Sequence, residues 1–334
     1  MINTIIPPDS EALTEKDIPP SMDLLTEIDR LRREKKAVIL AHYYQTGQIQ
    51  DLADYVGDSL DLSRRAAETT ADVIVFCGVR FMAEVAKILS PTRKVLLPDA
   101  EAGCTLEDSC QPEDFRKFRE SHPDHVALTY INCSAEVKSL SDVIVTSSNA
   151  EWIVRQFPED QQIVFAPDQH LGTYINRKTG RNMVLWPGSC IVHVQFSESA
   201  LVGLKTKYPE ALVVAHPECP EQILGHADHI GSTRSILDFA TKTPAETIIV
   251  ATEPNIIHQM MKAAPKKKFI SVPGSQGGCD GLCAFCPYMA LNTMEKLYLC
   301  LVNEAPRVEM PESLMDAARK PLERMLEMSQ NPKC

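Results

Sequence analysis

The chain has 334 residues, 44% hydrophobic residues and a formal net charge of −11 at pH 7. This length is sufficient for two or three domains. The acidic balance disfavours a nucleic-acid partner, and the basic run Lys266–Lys268 is too short to form a binding stripe. No run approaches the ~20 apolar residues that span a bilayer, and the acidic N-terminus does not resemble a signal peptide. We therefore expect a cytoplasmic protein without a membrane partner.

The predicted elements begin with an N-terminal arm and an amphipathic helix from Ser21 to Lys36, which follows Pro19-Pro20. Beyond this helix, short and continuously apolar runs alternate with helical stretches. Such runs are typical of strands that are buried on both faces of parallel sheets, so the pattern predicts an α/β fold. The predicted strands include Ala37–Ala41, Val73–Phe76, Val126–Ile131, Val143–Val145, Ile163–Ala166, Leu212–Ala215, Thr247–Ala251 and Phe269–Val272.

Three segments of the chain resemble one another. Each opens with an aliphatic strand that ends in a polar ring, at His42, Tyr130 or His216. An aspartate follows twelve residues after each ring and a hydroxyl seventeen residues after it; these are Asp54, Asp142, Asp228, Ser59, Ser147 and Thr233. This agreement predicts three pseudo-symmetric three-layer α/β units with parallel sheets around a central active site. We place the units at residues 37–120, 121–208 and 209–300, between an arm and helix at 1–36 and a C-terminal helical segment at 301–334.

The polar residues of the repeat are expected to meet, because ligands of parallel sheets bind beyond the carboxyl ends of the strands. The hydroxyls lie in small polar turns that lead into helices, where hydroxyl and backbone N–H groups bind carboxylate or phosphate. Helix capping would explain any single one of them equally well. His42, and His216 with Glu218 close behind it, suit proton transfers around a carbonyl or imine. We interpret the three aspartates as structural residues that bond to turns.

Eleven cysteines in a long cytoplasmic chain are not expected to form a disulfide framework. Five of them lie in glycine-rich loops that could hold a metal ion or cluster: Cys104, Cys190, Cys279, Cys283 and Cys286. The last three have the spacing of radical enzymes that use S-adenosylmethionine and a [4Fe–4S] cluster. A zinc site with Cys190 and His193 is an alternative. Cys104 and Cys279 follow equivalent turns at the same distance, so spacing alone does not choose between Cys279 and Cys286.

Over roughly residues 37–300 the chain resembles the quinolinate synthase family. No single motif is specific, but the ordered set is. The motifs are AHYYQ (41–45), GDS (57–59), GC (103–104), YIN (130–132), SS (147–148), PGxCxVH (187–193), HPE (216–218), GST (231–233) and CPYMALN (286–292).

The resemblance implies an enzyme of NAD biosynthesis that condenses iminoaspartate with dihydroxyacetone phosphate to quinolinate, phosphate and two waters. It also implies a [4Fe–4S] cluster on Cys104, Cys190 and Cys286, with one open iron as a Lewis acid. The implied catalytic residues are His42, Tyr44, Tyr130 and Glu218. The implied substrate-binding residues are His42, Ser59, Tyr130, Ile131, Asn132, Ser147, His216, Pro217, Glu218 and Thr233. An aspartate oxidase or dehydrogenase that produces iminoaspartate is the expected functional partner.

Two other functions stay open at this point. A radical S-adenosylmethionine-type enzyme would use Cys279, Cys283 and Cys286, and diphthamide synthase, a related three-domain enzyme, also spreads three cysteines over three domains. A non-enzymatic iron–sulfur redox sensor would need the cysteines, but it would not need three equivalent anion-binding turns or the HPE motif. Quinolinate formation by coloured, anaerobically purified protein would separate a synthase from a sensor.

Overall fold

A computed structural model of the protein describes residues 2–274 and 284–330. Within these ranges the strands are β1 (Ile5–Ile6), β2 (Ala37–His42), β3 (Tyr55–Gly57), β4 (Val73–Cys77), β5 (Lys94–Leu96), β6 (Val126–Tyr130), β7 (Val143–Val145), β8 (Ile163–Ala166), β9 (Val184–Leu185), β10 (Leu212–Ala215), β11 (His229–Ile230), β12 (Thr247–Ala251), β13 (Lys268–Ser271) and β14 (Arg307–Val308).

The α-helices of the same ranges alternate with these strands. They are α1 (Leu24–Glu34), α2 (Gly47–Leu52), α3 (Ser59–Glu68), α4 (Arg80–Leu89), α5 (Thr105–Ser109), α6 (Pro112–Glu120), α7 (Ala135–Ser139), α8 (Ala150–Val154), α9 (Gln169–Thr179), α10 (Glu198–Lys207), α11 (Glu221–Leu224), α12 (Thr233–Lys242), α13 (Ile256–Ala263), α14 (Met294–Asn303) and α15 (Glu312–Met328). None of these helices is long and apolar enough to cross a membrane.

The strands form three sheets that share one topology. The parallel strand orders are β3-β2-β4-β5 in the first sheet, β7-β6-β8-β9 in the second and β11-β10-β12-β13 in the third. The first sheet is extended by β14 and β1, which pair antiparallel. The prediction of an α/β fold with three related parallel-sheet units is therefore confirmed.

The three repeated aspartates each bond to the backbone near the start of the first strand of their unit. The N–Oδ2 distances are 2.8 Å for Ile39 and Asp54, 2.7 Å for Ala127 and Asp142, and 2.7 Å for Val213 and Asp228. In return, the backbone N–H of each aspartate donates to the carbonyl of the same strand residue. The aspartates thus pair with strands and not with turns, and they connect the first two strands of each unit.

We expect Asp228→Ala to lower the free energy of unfolding by about 1 kcal/mol, because the partly buried N–H of Val213 loses its acceptor. Urea unfolding followed by circular dichroism measures the change. Alanine in place of the exposed Asp160 is the matched control and should leave stability unchanged. Equal stabilities of the two variants would contradict the role of the aspartate.

The N-terminal helix is shorter than the sequence predicts. It begins after Asp23, whose carboxylate accepts from the backbone N–H of Thr26 at 3.4 Å. It ends at Glu34 because Lys36 has a φ of 47°, which a right-handed helix cannot continue. The helix buries Ile28 and Leu31 against α14. At the other end of the chain, α15 packs on α4 and α7 and so joins the first unit to the second.

The polar rings of the repeat lie at equivalent places in the three units. His42 is the last residue of β2, Tyr130 is the last residue of β6, and His216 directly follows β10. All three are buried. The carboxyl ends of the first strands of the three sheets therefore present these side chains at one common region.

Candidate active site

A cavity lies where the carboxyl ends of the three sheets meet, and all three units contribute to its wall. Most of the residues predicted for the site line it: His42, Tyr44, Ser59, Cys104, Tyr130, Asn132, Ser147, Cys190, His216, Glu218, Thr233 and Cys286. Ile131 and Pro217 are buried next to lining residues but are not part of the wall.

Two imidazoles of the cavity are held by the same local geometry. Nδ1 of His42 accepts from the backbone N–H of Tyr44 at 3.2 Å, and Nδ1 of His216 accepts from that of Glu218 at 3.3 Å. Burial lowers the pKa of both histidines to about 3, so both rings are neutral at pH 7. A neutral ring that accepts at Nδ1 carries its hydrogen on Nε2. Each histidine is therefore a donor, and Nε2 of His216 lies 3.3 Å from Oγ of Ser147.

Glu218 is the buried carboxylate of the cavity. Its Oε1 accepts from the hydroxyl of Tyr130 at 2.5 Å, and its Oε2 lies 2.9 Å from Nδ1 of His193. Burial alone would raise the pKa of Glu218, but His216, His193 and these hydrogen bonds outweigh it and lower that pKa overall. Burial, and then the negative charge of Glu218, raise the pKa values of Tyr44 and Tyr130 well above the usual range. The site thus combines an ionised carboxylate with protonated phenols.

Two residues of this network were not predicted as site residues. Nε2 of His193 lies 3.0 Å from the hydroxyl oxygen of Thr252, which lies 2.7 Å from the hydroxyl of Tyr44. The sequence argument considered His193 only as a zinc ligand and did not consider Thr252. Thr252 directly follows β12. A search for polar residues after every predicted strand would have found it.

The three repeated hydroxyls stand at the starts of helices or in the turn before one. Ser59 is the first residue of α3, Thr233 is the first residue of α12, and Ser147 lies in the turn before α8. Asp58 caps α3 by accepting from two backbone N–H groups, and its other oxygen accepts from the hydroxyl of Ser148 at 2.6 Å. This bond holds the turns of the first two units together beside the cavity.

The three cysteines of the cavity come from three loops that contact one another. The hydroxyl of Thr105 accepts from the backbone N–H of Ile191 at 3.2 Å, which joins the loops of Cys104 and Cys190. A Cβ placed on Gly103 would lie 3.6 Å from the ring of Tyr288, so the loops of Cys104 and Cys286 also pack together. The two remaining cysteines of the predicted radical-type motif, Cys279 and Cys283, lie outside the described residues.

Comparison with known proteins gives a consistent result. The family model described as quinolinate synthetase A protein matches residues 26–327. The chain is 55% identical to the quinolinate synthase of Microcystis aeruginosa over 98% of its own length and 100% of that protein. It is 58% identical to the quinolinate synthases of Gloeothece citriformis and a Synechocystis strain, over 92% of its own length and 94% and 96% of theirs.

The chain belongs to the quinolinate synthase family. It is accordingly an enzyme of NAD biosynthesis that acts on small molecules. Membership agrees with the cavity described above, because the motifs that carry the sequence resemblance supply most of its polar wall.

The thiols of this quinolinate synthase chain lie in a site suited to metal. Burial raises the pKa of Cys104 and Cys190, and it raises that of Cys286 to about 11. None of the described residues in the cavity wall is a lysine or arginine that could stabilise a thiolate. Nδ1 of His193 lies 3.3 Å from Sγ of Cys190, but neither Cys104 nor Cys286 has a lysine or arginine beside it in the described wall, so an external cation would favour ionisation of the three partly buried thiols.

A single metal ion would fit a different set of donors. Among the residues that the structure describes, the close group of donor atoms is Cys190, His193 and Glu218, which lie within 4.8 Å of one another. Cys104 and Cys286 are not part of that group. Ligands of one zinc ion, at about 2.3 Å for Zn–S, stand within about 4 Å of one another. The three cysteines are therefore spread more widely than the ligands of one ion.

Proposed function

We propose that this enzyme condenses iminoaspartate with dihydroxyacetone phosphate and releases quinolinate, phosphate and two waters. The observation that carries the proposal is the convergence on one cavity of Ser59, Ser147 and Thr233, one from each unit. The two substrates together bring two carboxylates and one phosphate, so each anionic group has one hydroxyl-bearing turn as a partner. The proposal also includes a cytoplasmic location and a functional link to an aspartate oxidase or dehydrogenase that produces iminoaspartate.

Anion binding in this cavity relies on dipoles and hydrogen-bond donors, because its described wall lacks lysine and arginine. Ser59 and Thr233 each begin a helix of ten residues, whose N-terminus carries partial positive charge. The Nε2–H groups of His42 and His216 add two neutral donors. Asn132 supplies a further amide in the wall, and its Oδ1 is buried without a partner.

The chain's own acid and base groups support the proton transfers of the reaction. Forming an aromatic ring from these substrates requires removal of protons from carbon and delivery of protons to departing hydroxyl groups. The ionised Glu218 can accept a proton, while the hydroxyls of Tyr44 and Tyr130 can donate one. We therefore assign Tyr44, Tyr130 and Glu218 as the acid and base groups, with His42 beside Tyr44 as a neutral donor.

A [4Fe–4S] cluster on Cys104, Cys190 and Cys286 is part of the proposal. The three partly buried thiols do not form one group of donor atoms within 4.8 Å of one another, and this spacing suits a cluster of several metal ions. With only three cysteine ligands, such a cluster supplies one open iron that acts as a Lewis acid on substrate oxygen. Anaerobic assay of quinolinate formation from the two substrates tests the function as a whole. Coloured protein that forms no quinolinate would support the redox sensor instead.

We expect Ser147→Ala to raise KM about tenfold while kcat changes less, because a hydrogen bond to a charged group contributes about 1.5–3 kcal/mol. Ser59→Ala and Thr233→Val should act in the same direction, each on one of the two substrates. Steady-state kinetics with each substrate varied in turn measures the effect. Ser121→Ala, at an exposed serine beyond α6, is the control. Unchanged KM values for both substrates in all three variants would remove these hydroxyls from the binding site.

A further inference from the structure

A buried glutamate outside the active-site cavity joins three parts of the chain. Glu84 lies on α4 in the first unit and is 2% exposed. Its Oε1 accepts from the hydroxyl of Thr4 in the N-terminal arm at 2.6 Å, and its Oε2 accepts from the backbone N–H of Ala135 in the second unit at 2.8 Å. One carboxyl group therefore connects the arm, the first unit and the second unit.

The contact in the second unit lies close to a proposed substrate-binding residue. Ala135 is the first residue of α7, and Asn132 stands three residues before it in the loop that follows β6. Oδ1 of Asn132 is buried and has no partner among the residues that the structure describes, so the position of its amide depends on the backbone of this loop. Two bonds hold that backbone after Asn132: the one from Ala135 to Glu84, and one from Nζ of Lys138 to the carbonyl of Cys133.

The helix that carries Glu84 also forms part of the cavity wall. Phe81 and Met82, both on α4, line the cavity, and so does Val79 directly before the helix. Glu84 follows Met82 by two residues and is not part of the wall. Because one helix supplies both the wall residues and this carboxyl group, the bond to Ala135 ties the wall of the first unit to the loop of Asn132.

Other charged side chains lie near Glu84. Glu107 interacts electrostatically with Glu84 and with the basic side chains of Arg80 and Lys138. Arg80 also bonds to Glu107 through its Nε at 3.0 Å. A substitution of Glu84 therefore changes the charge of this group as well as its hydrogen bonds, and a test has to separate these two effects.

We infer that Glu84 is a positioning residue for substrate binding, because through the start of α7 it holds the Asn132 loop against the first-unit wall of the cavity. This inference rests on the proposed function, which gives Asn132 a contact with substrate. Glu84 lies outside the wall, so its loss should weaken binding by displacing Asn132 while the acid and base groups stay in place. KM should therefore change more than kcat.

The test compares Glu84→Met with Glu84→Gln in the cluster-containing enzyme, assayed without oxygen. Both variants lose the acidic group, but glutamine keeps an oxygen for the N–H of Ala135, and its NH₂ group can donate to the hydroxyl oxygen of Thr4. We expect methionine to raise KM for at least one substrate about fivefold or more with a smaller change in kcat, because a binding group is misplaced. Glutamine should keep KM within about twofold of wild type, because it restores the hydrogen bonds.

A double variant shows whether Glu84 acts through Asn132. Asn132→Ala should raise KM about tenfold, because a hydrogen bond to a charged substrate is lost. If Glu84 acts through that amide, adding Glu84→Met to Asn132→Ala should raise KM less than about twofold further, since the group it positions is already absent. Independent structural damage would multiply the two effects.

Lys87→Met is the matched control, because it removes another buried charged side chain from the same helix. Lys87 is 6% exposed and contacts the carbonyl of Arg93 and the carboxyl group of Glu309, both outside the second unit. It should leave KM unchanged. Iron content and circular dichroism show whether each variant is loaded and folded. If Glu84→Met does not fold, Ala135→Pro removes the same hydrogen bond, since proline lacks the N–H and suits the first position of a helix.

Glu84 would lose its assigned role if wild-type enzyme makes quinolinate and the KM values of Glu84→Met match those of Lys87→Met. A Glu84→Gln variant as impaired as Glu84→Met would also reject the inference, since it would show that the lost charge matters and not the hydrogen bonds. Multiplied effects in the double variant, or a normal KM in Asn132→Ala, would reject it as well. In each of these cases the proposed function stands, whereas wild-type enzyme that makes no quinolinate would overturn the proposed function and this inference together.

Discussion

Replacing any one of Cys104, Cys190 and Cys286 by alanine should abolish iron binding and visible absorption in protein prepared without oxygen. The three thiols come from three loops that meet at one cavity, so each loop supplies one of the three proposed ligands. A cluster with three cysteine ligands would keep only two after such a change. Quinolinate formation should be lost with the iron.

The cysteine experiment includes controls that also separate the competing functions. Cys110 is fully buried in a neighbouring apolar cluster and does not line the cavity, so Cys110→Ala should keep its iron. Cys279→Ala and Cys283→Ala should also keep it. Iron content by chemical assay and the absorption spectrum are measured for all six variants. Loss of iron at positions 279, 283 and 286, with retention at 104 and 190, would instead establish a radical-type site and overturn the proposed function.

Glu218→Gln should lower kcat by about 10²-fold or more while the fold and the iron content remain, because an amide cannot accept the proton that the carboxylate takes up. The amide oxygen can still accept from Tyr130 or from His193, so the buried network keeps much of its support. The change therefore tests proton transfer more than stability. Steady-state kinetics, circular dichroism and iron content are the measurements.

Glu221→Gln is the control for Glu218→Gln. Glu221 lies three residues further along the chain, and its side chain is 70% exposed where it pairs with Arg177. Exposed pairs contribute little to stability, so this variant should behave like wild type. A Glu218→Gln enzyme with near-normal turnover would show that the carboxylate is structural and would remove it from the acid and base groups.

The sequence alone determined several continuously apolar strands and the repeat. The strands β7, β8, β10 and β12 begin and end at the residues that the apolar runs predict. These strands are buried on both faces, so every position carries the hydrophobic signal. The strand-end rings and the repeated hydroxyls could be located because each occurs at the same distance in three copies of one unit.

Three short edge strands, β3, β9 and β11, were decided by tertiary structure. The strands β9 and β11 have two residues each, and β3 has three with an exposed Tyr55 and a glycine, so none of them forms a continuous apolar run like that of β7. They form because a neighbouring strand offers unpaired backbone groups. The pairing of β14 with β5 brings the C-terminal part of the chain into the first sheet, and no local pattern in the sequence encodes a partner so distant along the chain.

The connections within the site were also decided by tertiary structure. The repeat identifies Tyr44 and Glu218 as residues near strand ends, but it does not show that His193 and Thr252 lie between them. Tyr44 and Thr252 are separated by 208 residues in the chain and by 2.7 Å between their hydroxyl oxygens. Such a contact depends on how the units dock, and the docking depends on the packing of whole sheets and helices, which no short sequence pattern contains.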